Sequence, residues 1–278
     1  MANATDRYSI ERILPLLRCP ECHHHPLTSE SGDASFALHC PACGRAYPQR
    51  DGVLDLLAGR ERTLANQAFG RWAAAAYDLS AARSGFRRLY RRRFADEVEQ
   101  YTRPLDLRPA DVVIDVGCGT GNYTLEFAKK VHEGMAIGVD VSQAMLERFQ
   151  RHAAEAEQRN VVALLASAEN LPFRDGCLAR IFNGCLHHLF PAVEPALAET
   201  HRCLEPGGIF LGSTFFEPGP PWLKPVLKLA GLTIAARPVA APALEQALQA
   251  AGFAGVKVVA GGLGQFFFGT YRATRQAP

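Results

Sequence analysis

Val112-Val113-Ile114-Asp115-Val116-Gly117-Cys118-Gly119-Thr120-Gly121 runs from a short apolar stretch straight into a glycine-rich turn, and a helix is predicted from about Asn122. Downstream the same alternation repeats. Ala136–Asp140 reads as a second strand, followed by a long amphipathic helix to about Gln158. Val161–Leu165 and Ala179–Phe182 read as a third and a fourth strand. A helix over Val193–Cys203 precedes a turn at Pro206-Gly207-Gly208 and a strand over Ile209–Thr214. A last helix from Pro242 to about Ala251 and strands Val256–Val259 and Gln265–Arg272 finish the pattern. Strands alternating with helices imply an α/β fold with an open, doubly wound parallel sheet and right-handed crossovers.

The turn restricts the ligand. Glycine there lets a backbone approach a bound molecule closely. The spacing Asp115-x-Gly117-x-Gly119-x-Gly121 is not the G-x-G-x-x-G of dinucleotide sites, and it lacks the G-K-[ST] of a phosphate loop. An acidic residue two positions before the first glycine opposes a pyrophosphate and suits a ligand carrying an ammonium group.

In this order of motifs, residues 105–215 resemble the class I S-adenosylmethionine-dependent methyltransferases: Asp115–Gly121, Asp140 closing strand two, Ala168-Glu169-Asn170-Leu171-Pro172-Phe173, and Leu204-Glu205-Pro206-Gly207-Gly208. The resemblance implies a Rossmann-like methyltransferase sheet with an antiparallel last strand, and S-adenosylmethionine as cofactor. It also implies roles. Asp140 takes both ribose hydroxyls, with Val141 beside it. Gly117, Cys118, Gly119 and Gly121 let the methionine portion lie on the turn, and Asp115 orients the loop and the cofactor's amino group. Ser167, Ala168 and Glu169 edge the adenine, and Asn183 turns its carbonyl to the methionine amino group. Ser167 stands where the family usually has Asp, so the Ala168 N–H is expected to carry more of the adenine recognition. Tyr77 is expected to close over the cofactor from the preceding helical segment.

Methyl transfer needs proximity and orientation more than covalent help. A base is useful where the acceptor loses a proton, and imidazole has a suitable pKa. His187 and His188 follow strand four, where this fold meets its acceptor, and are the candidate catalytic residues. The alternative is that they shape the pocket.

Four of the eight cysteines lie in one short segment, as Cys19-Pro20-Glu21-Cys22 and Cys40-Pro41-Ala42-Cys43 with 17 residues between the pairs. Paired C-x-x-C knuckles at this separation suit tetrahedral thiolate binding of a structural Zn2+, with room for a hairpin between them. A redox pair would not need a second matched knuckle. Four thiolates leave no open position, so His23, His24, His25 and His39 read as surface neighbours. Arg18 to Leu57, with Tyr47-Pro48 and Asp51–Leu57 after the second knuckle, resembles the small zinc-ribbon proteins that partner tRNA and protein methyltransferases; the plainer expectation is that this last run simply closes the small domain. The expected division is therefore a small N-terminal zinc-ribbon domain at 1–60, a helical connector at 61–104, and the methyltransferase domain at 105–278 with an apolar lid about 217–241.

In the connector, Phe86, Tyr90 and Phe94 share a helix face, and Arg87, Arg88, Arg91, Arg92 and Arg93 fill the positions between them. Those arginines suit either a solvated face or phosphate contacts. Thr63–Tyr101 is expected to be helical with a break near Ser84-Gly85, and Arg103-Pro104 and Arg108-Pro109 to end the helical region and mark a linker.

Hydrophobic residues at 48%, charged residues at 21% and a net charge of +2 exclude a disordered chain and do not demand an anionic partner. With no apolar run near the ~18 residues of a spanning helix and no signal-like start, the expectation is a cytoplasmic protein without a membrane span. Residues 160–275 resemble the ubiquinone/menaquinone-type (methyltransferase type 11-like) enzymes. They point to a small-molecule acceptor that is apolar, aromatic or isoprenoid. The alternative partner is RNA: rRNA guanine-N1 methyltransferases also join a zinc module to this fold. Residues 1–60 carry six Arg against seven Asp plus Glu, which gives RNA little support there. A binding protein that keeps the fold without turnover is a third reading, hinted at by Ser167.

Overall fold

The computed structural model describes residues 7–31, 36–57, 87–184, 187, 192–216, 239–259 and 268–276, with the backbone alone given at 7, 30–31, 87–93, 215 and 268. In chain order these form α1 (Arg7–Ile13) with a 3-10 turn (Leu14–Leu16), then β1 (Thr28–Ser31), β2 (Phe36–His39), β3 (Ala46–Arg50) and β4 (Val53–Asp55). Next come α2 (Arg87–Leu105), β5 (Val112–Val116), α3 (Asn122–Lys130), β6 (Met135–Asp140), α4 (Gln143–Glu155), β7 (Val161–Leu165) and β8 (Leu178–Gly184). The chain continues through α5 (Glu194–Cys203), β9 (Leu204–Phe215), α6 (Ala241–Ala250), β10 (Phe253–Val259) and β11 (Phe268–Arg275).

All the described strands form one sheet in the order β1-β2-β3-β4-β7-β6-β5-β8-β9-β11-β10. From β4 to β9 the neighbours are parallel, whereas β9-β11-β10 and β1-β2-β3-β4 are antiparallel. β7 is buried at every residue and β6 at all but its last, as expected of strands covered on both faces.

Successive residues of one strand feed two different cores. Ile114, Ile137, Val162 and Leu164 pack with Ile10, Ile13, Leu17, Leu197 and Leu244 on one face. Val113, Ala136, Val161 and Ala163 pack with Leu105, Phe127, Leu146 and Phe149 on the other. Helices α2, α3 and α4 thus cover one face, and α1, α5 and α6 the opposite one. α4 shows why its sequence folds there: Ser142 caps it by accepting the Met145 N–H (3.4 Å), and Met145, Leu146, Phe149, Gln150 and Ala153 make its buried stripe.

Three expectations change in the structure. First, the helix before β5 runs past Tyr101 and through Pro104 to Leu105, ending between the two Arg-Pro pairs expected to close the helical region. Pro104 sits so close to the end that only its own helical hydrogen bond is forfeited, and Leu105, fully buried, anchors the last turn. Second, Pro206-Gly207-Gly208 is not a turn ahead of β9 but a bulge inside it. Leu178 pairs with Leu204 and Arg180 already with Ile209, and Gly207 takes φ +80° where the extra residues loop out. Third, the run after the second cysteine knuckle does not merely close the small N-terminal module. β4 pairs in parallel with β7 (Val53↔Ala163, Leu54↔Leu164, Asp55↔Leu165), and the Leu56 N–H continues the ladder to the Leu165 carbonyl at 2.9 Å. The ribbon thereby extends the larger sheet and removes what would be an open edge at β7.

Side chains reinforce that junction. The buried Gln150 amide donates to the Gly52 carbonyl (3.0 Å), Ser9 Oγ to the Arg159 carbonyl (3.2 Å), and Arg12 to the Glu133 carbonyl (2.8 Å). Arg18, nearly buried, faces Asp175 at 3.3 Å and Glu199 at 3.7 Å, and Arg202 binds the same two carboxylates at 2.7 Å.

Candidate active site

In the sheet order β7-β6-β5-β8, the predicted cofactor residues other than Tyr77 lie at or near the carboxyl ends of adjacent strands: Ser167–Glu169 after β7, Asp140 and Val141 at the end of β6, Asp115 and Gly117–Gly121 at the end of β5, and Asn183 near the end of β8. β5 is also where the strand order reverses, with β6 on one side and β8 on the other. A crevice at such a reversal is the usual ligand position in an open α/β sheet.

The glycine turn is held from β6. The Gly117 and Cys118 N–H groups donate to the Val139 carbonyl (2.7 and 3.1 Å), and the Gly119 N–H donates to Asp140 Oδ2 (2.9 Å). Asp140 Oδ1 accepts the Ser142 N–H at 2.9 Å. Burial pushes the Asp140 carboxyl up, against these backbone donors, which pull it down. Gly119 has φ +55° and nothing within 4 Å of the place its Cβ would occupy, so its outer side is open to a ligand.

The predicted glycines do not all serve one purpose. A Cβ on Gly121 would lie 2.0 Å from the Phe149 ring, at φ +81°. That residue is glycine so that Phe149 of α4 can pack beneath the turn, a contact the spacing of the motif does not disclose. Cys118 likewise points inward: its Sγ would be 2.8 Å from a Cβ on Gly138, and burial pushes its thiol well above the ordinary value. It offers a ligand its backbone, not its sulfur. Val141 packs against the same core as Phe149.

Asp115 lies beneath the turn, buried, and accepts the Thr124 hydroxyl at 2.6 Å. Burial raises its carboxyl to about 7, with the Thr124 donor opposing and the nearby Asp140 charge adding to the rise. The folded value lies above the unfolded one of roughly 3.9. This group's contribution to stability is therefore present below about pH 4 and is lost as pH rises toward 7. A cationic ammonium nearby favours the ionised carboxylate. Affinity for S-adenosylhomocysteine, measured by calorimetry, should rise about tenfold from pH 6 to pH 8 and flatten in Asp115→Asn; a flat wild-type profile would separate Asp115 from ligand binding.

Asn183 is almost wholly buried, and its Oδ1 has no hydrogen-bond partner among the described residues. A carbonyl oxygen so placed leaves an acceptor for a bound donor. The Ser167 hydroxyl, by contrast, accepts the Glu169 N–H (3.1 Å) and the Ser167 carbonyl accepts the Asn170 N–H (3.2 Å), closing a small turn. Ala168 is buried and Glu169 exposed. These donors and acceptors fit a nucleoside with an amino-acid tail.

His187 is buried at 1% exposure, stacked on Tyr271 (centroids 5.2 Å apart) and edge-on to Phe210. Gly212 makes room for this group, since a Cβ there would meet the Tyr271 hydroxyl at 2.1 Å. Neither Tyr271 nor Phe210 carries a motif, and only the pairing of β11 with β9 brings them to His187. His188, Tyr77 and the lid segment through residue 238 lie outside the described residues, as do the side chains of the connector arginines.

In the N-terminal region Cys19, Cys22, Cys40 and Cys43 converge, with all four Sγ atoms within 4.8 Å of one another, the one such cluster among the described residues. Pairs at 3.7 Å (Cys19–Cys43) and 3.5 Å (Cys22–Cys40) are near the roughly 3.8 Å expected between thiolates on a tetrahedral zinc. The two knuckles match in backbone: the His23 N–H returns to the Cys19 carbonyl and the Gly44 N–H to the Cys40 carbonyl, both residues having positive φ. Burial pushes the Cys19 thiol up, but the Tyr47 hydroxyl at 3.0 Å and backbone donors outweigh it and bring it to about 7. The His25 ring is engaged elsewhere, with Nδ1 2.8 Å from the Leu17 carbonyl. The donor set fits zinc.

Residues 113–208 match the family described as methyltransferase domain, and residues 11–52 the Trm112p-like proteins. A demethylmenaquinone methyltransferase of Symbiobacterium thermophilum is 34% identical over 114 residues, covering 40% of this chain and 45% of that enzyme. An uncharacterised chloroplastic methyltransferase of Arabidopsis thaliana is 24% identical over 241 residues, covering 80% of this chain and 68% of that one. The chain spans about half the length of the demethylmenaquinone methyltransferases it matches. Among solved structures, the YcgJ protein of Bacillus subtilis shares the fold with a TM-score of 0.56 at 20% identity, covering 66% of this chain and 100% of that one. The chain thus carries a methyltransferase domain of the class I S-adenosylmethionine-dependent type, preceded by an N-terminal, four-cysteine Trm112p-like region.

Proposed function

We propose that the protein binds S-adenosylmethionine along the carboxyl ends of β7, β6, β5 and β8 and methylates a small apolar acceptor of the isoprenoid-quinol or aromatic class. The observation that carries the cofactor half is the convergence of Asp140, the open side of Gly119 and the partnerless Asn183 Oδ1. The acceptor class rests on the similarity to demethylmenaquinone methyltransferases and on the aromatic group of His187, Tyr271 and Phe210 beside the carboxyl half of β8.

The cofactor, when bound, supplies a methyl group already activated as a sulfonium. The chain's own work is then placement. Asp140 accepts the ribose hydroxyls, Asn183 accepts from the ammonium, and Asp115 sets a negative charge beneath the glycine turn. His187 walls the acceptor side through its stack on Tyr271. No described helix is long and apolar enough to cross a membrane.

The test supplies short-chain demethylated quinols and an rRNA fragment to the protein with S-adenosylmethionine, and follows products by mass spectrometry. A methylated quinol and no methylated RNA is the expected result. Methylated RNA without a quinol product would overturn the acceptor assignment in favour of the ribosomal one.

A further inference from the structure

The crossover from β7 to β8, residues 166–177, contains no helix, although parallel strands are usually joined by one. Its backbone is instead served by the N-terminal segment. The Arg18 N–H donates to the Pro172 carbonyl (2.9 Å), the Arg174 N–H to the Leu16 carbonyl (2.9 Å), and Leu17 bridges Phe173. Leu17 and Phe173 are both fully buried there. Glu199 accepts the Leu171 N–H at 2.9 Å, and Arg202 donates to the Leu171 and Phe173 carbonyls. One more bond reaches the cysteine cluster itself. Asn170 Nδ2 donates to the carbonyl of Pro20 at 3.1 Å, and Pro20 lies between Cys19 and Cys22 in the first knuckle. On its other side Asn170 closes the turn with Ser167, which carries the adenine-side residues Ser167, Ala168 and Glu169.

From these contacts we infer that the first cysteine knuckle positions the adenine-side turn through Asn170, so that metal in the four-cysteine site and cofactor at the sheet edge strengthen each other's binding. The inference rests on the cofactor reading above. The knuckle has a defined backbone only while its two sulfurs are held together; released, the Pro20 carbonyl loses its place, and Asn170 with it. The Ser167–Asn170 turn then keeps its internal bonds but not its position relative to Asp140. Asn170 is a positioning residue, with the adenine half of the ligand as its target.

Coupling of this kind is reciprocal, which gives a readout apart from turnover. The experiment is calorimetric titration of S-adenosylhomocysteine into the full-length zinc-loaded protein, and into the same protein after chelation. Wild type, Asn170→Ala and the isosteric Asn170→Asp, which cannot donate, are compared. Zinc removal should weaken binding about five- to tenfold in wild type, and saturating S-adenosylhomocysteine should tighten zinc by the same factor in competition with a chromophoric chelator. With zinc retained, both Asn170 variants should lose about three- to fivefold. They should lose as much for 5′-methylthioadenosine, which has no amino-acid end, and their remaining affinity should hardly respond to metal. Equal affinity of folded wild type with and without zinc overturns the inference, as do Asn170 variants that bind like wild type. Should the metal-free protein unfold, the zinc-loaded Asn170 variants decide alone. Failure of zinc-loaded wild type to bind S-adenosylhomocysteine overturns the cofactor reading instead, and the coupling with it.

Discussion

Asp140→Ala should lower the affinity for S-adenosylhomocysteine by about two to four orders of magnitude, the largest single effect expected in the cofactor site. A carboxylate accepting two ribose hydroxyls makes two charge-assisted bonds, each contributing roughly 1.5–3 kcal/mol, and about 1.4 kcal/mol is a factor of ten. The structure adds a second loss. Asp140 Oδ2 also holds the Gly119 N–H and Oδ1 the Ser142 N–H, so its removal loosens the glycine turn and the start of α4. Asp140→Asn separates the two contributions, because its remaining carbonyl still accepts one backbone donor while the charge is gone. It should keep the melting temperature closer to wild type yet bind the ligand nearly as weakly as Ala. Calorimetry on both variants checks this, and wild-type affinity in either would remove the ribose from Asp140.

Removing the metal, or replacing Cys19 with Ser, should lower the melting temperature by on the order of 10 °C. Structural zinc sites contribute their binding free energy to folding, and in a chain of this size each kcal/mol moves the midpoint by roughly 2–4 °C. The four-cysteine cluster is embedded in the larger sheet: β4 lies on β7, and Ile10, Ile13 and Leu17 fill the same core as Ile137 and Leu164. Loss of the metal should therefore reach the methyltransferase domain and appear as one shifted transition. Cys19→Ser is the sharper variant, because Cys19 is buried and bonded to Tyr47, whereas Cys22 and Cys43 are exposed. Scanning calorimetry that showed an unchanged main transition, with a small separate one, would mean that the ribbon melts alone.

Most of what defines the cofactor side was legible in the chain. Strand Val161–Leu165 needed no correction, and the acidic residue at the end of β6 and the glycine turn fall on neighbouring strand ends, as their order in the sequence implied. Local signals sufficed because strand periodicity, glycine at positive φ and paired C-x-x-C knuckles are each set by residues close together in sequence. The fate of β4 could not be read that way. Asp51–Leu57 looks the same whether it closes a small domain or adds a strand to a distant one, since either use needs an apolar run after a turn. Pro206-Gly207-Gly208 misled for a similar reason: glycine and proline signal a break in regular backbone, but a bulge and a turn use the same residues.

The sequence alone determined the two sets of residues: the four clustered cysteines, and Asp115 and Asp140 beside a glycine turn. Tertiary structure decided how they are joined. Only packing could place Phe149 under Gly121, Tyr271 against His187, and Asn170 on Pro20, because each pairs residues with no sequence periodicity in common and lying between 28 and 150 positions apart. The physical reason for the junction is that the edge of β7 is paired by β4, and the helix-free crossover after β7 is hydrogen-bonded by Leu16, Arg18 and Pro20 from one side and by Glu199 and Arg202 from the other.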